Sequence, residues 1–311
     1  MTEAGSIYYS GLETEKINQR TQDIDLCSTL EIVSLINAED ATVAGAVKEV
    51  LPQVAEAVDL CYAALKKGGR VLYVGAGTSG RLGVLDASEC VPTFGVEPEM
   101  VQGYIAGGDK AIRTPAEGCE DNEQLGRQQV RDLKVSEKDV VIGISASGSA
   151  AYVIGALKEA AQCGAGAIAI VNNKGSRVGE YADICIEAVT GPEVISGSTR
   201  MKAGTAQKMI LNMISTASMI KLGKVYGNLM IDLKASNKKL EDRAKRLFCK
   251  ATGHSKEEAE KYLKEADMDT KLAIMMCLSG LSKDKAQALL EGCDGLLRSA
   301  LDKAGTAGCR V

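Results

Sequence analysis

One stretch constrains the fold of this chain more than any other: residues 70–95, RVLYVGAGTSGRLGVLDASECVPTFG. Val71, Leu72, Tyr73 and Val74 form a short apolar run, with two β-branched residues and an aromatic, that ends in glycine. Such a run predicts a buried strand. Gly75, Gly77 and Gly80 then permit a tight turn and a close approach of backbone to ligand. Thr78, Ser79 and the free amides of the helix expected next can donate hydrogen bonds to an anion. Asp86 and Glu89 follow within a few residues, so the stretch predicts an anion cradle with acid–base chemistry close by.

Further apolar runs repeat the theme at 100–106, 139–144, 166–171 and 184–189, with helical segments expected at 115–133 and 152–163. Strands alternating with helices at this spacing imply βαβ units and a doubly wound parallel α/β sheet, with ligands bound at the carboxyl ends of its strands. The 115–133 segment opens on Glu117, Glu120, Asp121 and Glu123, a pattern the helix dipole favours by itself. After the 139–144 run comes Ser145-Ala146-Ser147-Gly148-Ser149, a second donor-rich turn. The same letters also fit an ordinary turn with a capping serine.

The flanks differ in texture. Residues 1–27 are polar and predict a loosely held arm. Ser28 and Glu31 have capping-box spacing, and an apolar stripe from Val43 to Leu65 predicts an amphipathic helix kinked or broken at Pro52. Residues 209–220, rich in Met and Ile, predict a helix buried on most faces between the sheet and a partner. Beyond about residue 240, three segments starting near Ser255, Asp269 and Ser282 predict a small helical bundle.

Composition narrows the chemistry. The net charge is −4 and aromatics are 4% of the 311 residues, with no Trp. That balance argues against nucleic acid or an anionic membrane as partner. The start of the chain lacks the features of a signal peptide, no apolar run is long enough to span a bilayer, and a cytoplasmic protein is expected. Ten scattered cysteines without a CxxC pair predict free thiols rather than a disulfide framework. Cys90 and Cys119 adjoin the motifs, but a packing role is the expectation for them too. With His254 the only histidine, a zinc site or a Ser-His-Asp triad has almost nothing to be built from, and no metal or cofactor is expected. Proton transfer falls to Glu, Asp, Lys or Tyr.

Gly75-x-Gly77-x-x-Gly80 also fits the dinucleotide fingerprint. The acid that fingerprint needs at the end of the second strand is misplaced: Glu97 and Glu99 precede the 100–106 run, and Asp109 lies too far on. No Gly-Lys-Ser/Thr follows the loop, so a Walker loop is absent. Two hydroxyl-rich loops on one parallel sheet point instead to a small phosphorylated metabolite.

GAGTSGR and the Ser-Gly-Ser loop resemble the sugar isomerase (SIS) domain. LDASECVPTFG, IAGG, EGCEDNE and GPEVISGSTRMKAGTAQK (residues 191–208) resemble more specifically the N-acetylmuramic acid 6-phosphate etherase family, the last being shared with glucokinase regulatory proteins. The resemblance runs through nearly the whole chain. It implies a SIS phosphosugar-binding domain with its arm over 1–240 and a three-helix, UBA-like domain over 241–311. It also implies a homodimer, and removal of D-lactate from a phosphorylated amino sugar by elimination and water addition, without cofactor. Glu89 would be the proton donor to the ether oxygen, and Glu120 its partner at the carbon acid or water. Gly77, Thr78, Ser79, Ser145, Ser147, Gly148, Ser149 and Ser198 would hold the phosphosugar. Arg200 and Lys202 are candidates for its anionic groups or for salt bridges, and Glu193 for a site acid or a structural one. The family pattern usually places Arg-Thr-Pro where this chain has Ser149-Ala150-Ala151, so an arginine and a threonine that could contact substrate are missing. A non-catalytic phosphosugar sensor would need the loops but not paired acids. A phosphosugar isomerase would share the cradle without expelling lactate.

Overall fold

Buried parallel strands read as unbroken apolar runs, because both faces are covered by helices. A computed structural model of the chain, which describes residues 11–233 and 238–306, forms a five-stranded sheet at the five runs. They are β1 (Val71–Gly75), β2 (Val101–Ile105), β3 (Val140–Ser145), β4 (Gly166–Val171) and β5 (Ile184–Glu187). All pair in parallel, in the order β2-β1-β3-β4-β5. Register at the sheet's lower edge is set by charge as well as pattern. Asp139, just before β3, accepts from the Arg70 backbone N–H at 2.9 Å and from its Nη2 at 2.8 Å, just before β1.

Helices cover both faces, as a doubly wound sheet requires. α1 (Thr29–Asp40), α2 (Val43–Lys48) and α3 (Leu51–Lys66) precede β1, and α4 (Gly77–Phe94) follows it. The short α5 (Lys110–Arg113) and α6 (Glu123–Asp132) lie between β2 and β3. α7 (Ala151–Gln162) follows β3 and joins Leu72, Val74 and Val141 in one core cluster. On the other face Gly83 of α4 meets Tyr73, and Leu60 of α3 meets the start of β4. The capping box at Ser28 forms. Pro52 breaks the helical stripe rather than kinking it, since it sits in the first turn of α3, where a missing N–H costs nothing.

Two expectations are corrected. Helix α6 starts at Glu123, not at 115: Gly118 turns the chain at φ +72°, and the Asn122 side chain caps the helix by accepting from Leu125 N–H at 3.2 Å. Glu117, Glu120 and Asp121 therefore lie in a loop. The described part of the arm, residues 11–27, is pinned rather than loose, because Thr14, Asn18 and Thr21 are buried and bonded to residues 173, 192 and 194. α8 (Lys202–Lys221) buries Ala203, Ala206, Ile210 and Ile214 at helical spacing, while Asn212, Thr216 and Ile220 are exposed in the single chain.

Two compact units emerge: residues up to Glu89 with Pro98–Ser215, and Cys90–Glu97 with Thr216 onward. Sequence texture places a change at 240. The structural division comes earlier, because Tyr226, Ile231 and Leu233 already belong to the second core. A two-strand ladder, β6 (Val225–Tyr226) with β7 (Leu229–Met230), leads into that unit. The three expected tail helices are present as α10 (Lys256–Glu265), α11 (Thr270–Ser279) and α12 (Lys283–Glu291), joined by α9 (Lys238–Thr252) and α13 (Leu297–Lys303). Ala273, Ile274 and Met275 of α11 are fully buried in this core. Ser255 makes a full capping box, whereas the Ser282 side chain makes no cap bond. None of the nine described cysteines forms a disulfide, and Cys309 lies outside the described residues. Among those described, no helix is long and apolar enough to cross a membrane.

Candidate active site

The chain leaves β1 for β2 on one side and returns to lay β3 on the other, so the strand order reverses between β1 and β3. Loops leaving the strands at such a point diverge and open a crevice beyond their carboxyl ends. A cavity of about 260 Å³ fills it. Its floor is Gly77, Thr78 and Ser79 after β1, with Ser145 and Ser147 after β3. Gly77, at φ +53°, turns the chain into α4. The first amide to donate within this turn is Gly80 N–H, to Ala76 O at 3.2 Å, so the amides of residues 77–79 are orphan donors of a helix N-terminus. With the hydroxyls around them they suit an anion. Of the three loop glycines, Gly77 lines the cavity, whereas Gly75 and Gly80 approach each other: a Cβ on Gly80 would lie 2.7 Å from Gly75 O.

Hydrogen bonds hold both loops from behind. The Ser79 hydroxyl donates to Gln207 Oε1 at 2.9 Å, Gln207 Nε2 to Asn172 Oδ1 at 3.0 Å, and Asn172 Nδ2 to Ala188 O at 2.8 Å. Ser79 therefore offers a ligand its backbone amide, its hydroxyl proton being committed to Gln207. Asn173 Nδ2 donates to Ala146 O at 2.9 Å, and Gly148 N–H donates to Ser145 Oγ at 3.1 Å. Ser147 and Ser149 share a hydroxyl–hydroxyl bond of 2.8 Å. Gly148 and Ser149 thus shape the second loop from behind the cavity-lining Ser145 and Ser147.

The remaining sequence candidates separate clearly. Glu120 lines the cavity; it stays open to solvent, yet partial burial of its carboxyl, and then Asp121 beside it, push its pKa up. Glu89 is exposed on α4 and is not among the residues lining the cavity, and Leu85 one turn before it is 52% exposed. Asp86 is not poised for chemistry: it is buried and accepts from Tyr73 OH at 2.9 Å, Asn212 Nδ2 at 2.6 Å and Ser215 Oγ at 3.1 Å. Glu193 caps α8, its two oxygens accepting from the Lys202 and Ala203 N–H groups at 2.9 Å each. Burial pushes its pKa up against those two bonds. Lys202 is buried with its Nζ 2.8 Å from Glu39 Oε2, which places it in the salt-bridge role. Arg200 is exposed and Ser198 half-buried, and neither lines the cavity, although Gly197 and Thr199 on either side of Ser198 do.

Sequence reasoning missed Glu15 and Thr199, which line the cavity, and Gln207, which supports it. Thr199 and Gln207 fall within the 191–208 motif, so a signal for them existed. Glu15 had none, sitting in a polar segment whose docking is visible only in three dimensions.

Parallel order, switch-point cavity and hydroxyl-rich loops define a domain of the SIS class. The SIS domain model matches residues 123–217, and that of the glucokinase regulatory protein N-terminal SIS domain matches residues 53–161. The chain is 52% identical to the N-acetylmuramic acid 6-phosphate etherase of Clostridium beijerinckii, over 96% of this chain and 98% of that protein. It is 53% identical to that of Caldanaerobacter subterraneus subsp. tengcongensis, over 93% of this chain and 95% of the relative. It belongs to the N-acetylmuramic acid 6-phosphate etherase family. Among solved structures, phosphoheptose isomerase from Neisseria gonorrhoeae is similar at 21% identity and a TM-score of 0.49, covering 61% of this chain and 98% of that one.

Proposed function

We propose that the protein is a carbon–oxygen lyase that removes D-lactate from N-acetylmuramic acid 6-phosphate, leaving N-acetylglucosamine 6-phosphate, in cytoplasmic recycling of cell-wall sugars. The observation that carries this reading is the juxtaposition in one cavity of a donor floor for the phosphate with Glu120, whose carboxyl is pushed above its ordinary pKa. In the open-chain sugar the C1 aldehyde acidifies the proton on C2, and Glu120 takes it. The C3–O bond breaks as a second acid protonates the ether oxygen, releasing lactate and leaving a C2–C3 double bond conjugated with the aldehyde. Water then adds its oxygen to C3, and a proton returns to C2. Acid and base groups so used contribute roughly 10²–10⁴-fold each.

Glu89 is the second acid in this proposal. It is exposed in one chain, and a homodimer that sets α4 of one copy against the cavity of the other would bring it to the reaction. The decisive experiment is incubation with N-acetylmuramic acid 6-phosphate in H₂¹⁸O. The expected result is lactate release with label at C3 of the sugar and none in lactate. Tight binding without lactate release would instead make the protein a sensor.

A further inference from the structure

Glu15 enters the cavity from a segment that the proposed chemistry does not use. Residues Glu13–Glu15 form a 3-10 turn, and its backbone is fixed to the sheet's carboxyl edge. Glu13 N–H donates to Asn173 Oδ1 at 2.7 Å, and Asn173 Nδ2 donates in turn to Thr14 Oγ1 at 3.2 Å. Asn173 also holds the Ser145–Ser149 loop, so the turn and the cradle share one anchor. Ser196 Oγ donates to the Glu15 carbonyl at 3.3 Å. The Glu15 carboxylate, by contrast, has no hydrogen-bond or ion-pair partner among the described residues. Beside it is Gly197, where a Cβ would lie 3.3 Å from Glu15 Oε2, so the glycine keeps room for the carboxylate.

Glu15 is exposed, but its backbone is anchored and its side chain lines the cavity with an unused carboxylate, which places that carboxylate where a bound ligand can meet it. An ionised carboxylate only accepts hydrogen bonds, and it repels a phosphate monoester. Electrostatics therefore sends the phosphate to the amides of residues 77–79 and the hydroxyls of Thr78, Ser145 and Ser147. The sugar's own donors, its hydroxyls and acetamido N–H, are left to turn toward Glu15. We propose that the Glu15 carboxylate accepts a hydrogen bond from a hydroxyl or amide N–H of the bound amino sugar and is a specificity-determining residue of this site. The proposal rests on the phosphosugar reading above, though not on lactate expulsion.

Calorimetric titration of the full-length wild type, Glu15→Ala and Glu15→Gln with N-acetylglucosamine 6-phosphate and, separately, inorganic phosphate tests it. Loss of a hydrogen bond to a charged group predicts about 10- to 100-fold weaker sugar phosphate binding by Glu15→Ala, with inorganic phosphate binding and Tm unchanged. Glu15→Gln keeps a neutral acceptor and the side chain's shape, so it should lose severalfold, and it carries the test if the alanine variant fails to fold. Sugar phosphate affinity unchanged in both variants would overturn the proposal, as would equal weakening of both ligands or a wild type that binds no sugar phosphate. Lactate release is read separately: a wild type that binds the sugar phosphate but frees no lactate sinks the enzyme reading and leaves the Glu15 assignment to these titrations.

Discussion

Two carboxylates of this chain show how one residue type takes opposite roles from its surroundings. Glu39 is buried on α1, and its Oε2 receives Arg20 Nη2 and Lys202 Nζ at 2.8 Å each. The Arg20 bond, aided by Lys202, draws its pKa from 4.5 to about 2 against the push of burial. The folded pKa is depressed, so this contribution to stability is complete above about pH 4.5 and fades as pH falls toward 2. Glu39→Ala strands a buried lysine and is expected to cost about 3–5 kcal/mol in urea melts at neutral pH. The gap between wild type and Glu39→Gln should narrow across that acid range. Glu120 goes the other way, since burial and Asp121 raise its pKa. As the proposed base it must be ionised, so kcat/KM should rise with pH through a midpoint above the ordinary carboxylate value, and Glu120→Gln should lower kcat by about 100-fold or more. The raised pKa follows from a cavity wall and a neighbour. EGCED as a string of letters shows neither, which is why it also reads as a plain helix start.

At the scale of elements, the strands were legible because doubly covered strands leave an apolar signature in the chain. The α6–α7 pair was less so. A Cβ on Gly126 would lie 1.8 Å from Tyr152 O, and one on Gly155 would lie 2.0 Å from Glu123 O, so the two helices touch backbone to backbone. Glu159 then accepts from Arg131 Nε at 2.7 Å and Arg127 Nη1 at 3.2 Å, and Lys158 Nζ reaches Glu123 at 3.0 Å. The seam matters to the site, because the Tyr152 N–H donates to the Glu120 carbonyl at 2.9 Å. Gly155→Ala should force the helices apart, costing at least about 2 kcal/mol in chemical denaturation and misplacing Glu120. Glycines in helices look like weaknesses in a sequence; only the facing carbonyl explains them.

For the molecule as a whole, the proposed chemistry needs a second acid. Glu120 lines the cavity of one chain, and Glu89 stands exposed on α4 of that chain. If each site takes Glu120 from one copy and Glu89 from the other, mixing inactive Glu89→Gln and Glu120→Gln proteins should form heterodimers with one intact site each. Equal mixing should then restore about a quarter of wild-type lactate release after subunit exchange. No recovery, with exchange verified by mass, would place both acids within one subunit.

The sequence by itself determined the alternation of buried strands and amphipathic helices, the two donor-rich loops and the tail helices. Each is written in local periodicity, turn residues and caps within a few positions of one another. It also carried the family through long motifs, and it singled out Glu120, which lines the cavity. Only the tertiary structure decided that Glu193 and Lys202 serve α8 and the α1 ion pair, that Asp86 is held by three hydrogen bonds, and that a polar arm delivers Glu15 to the cavity. The physical reason is common to these. What a charged side chain does depends on what folding sets around it, and the partner of Lys202 lies 163 residues away along the chain.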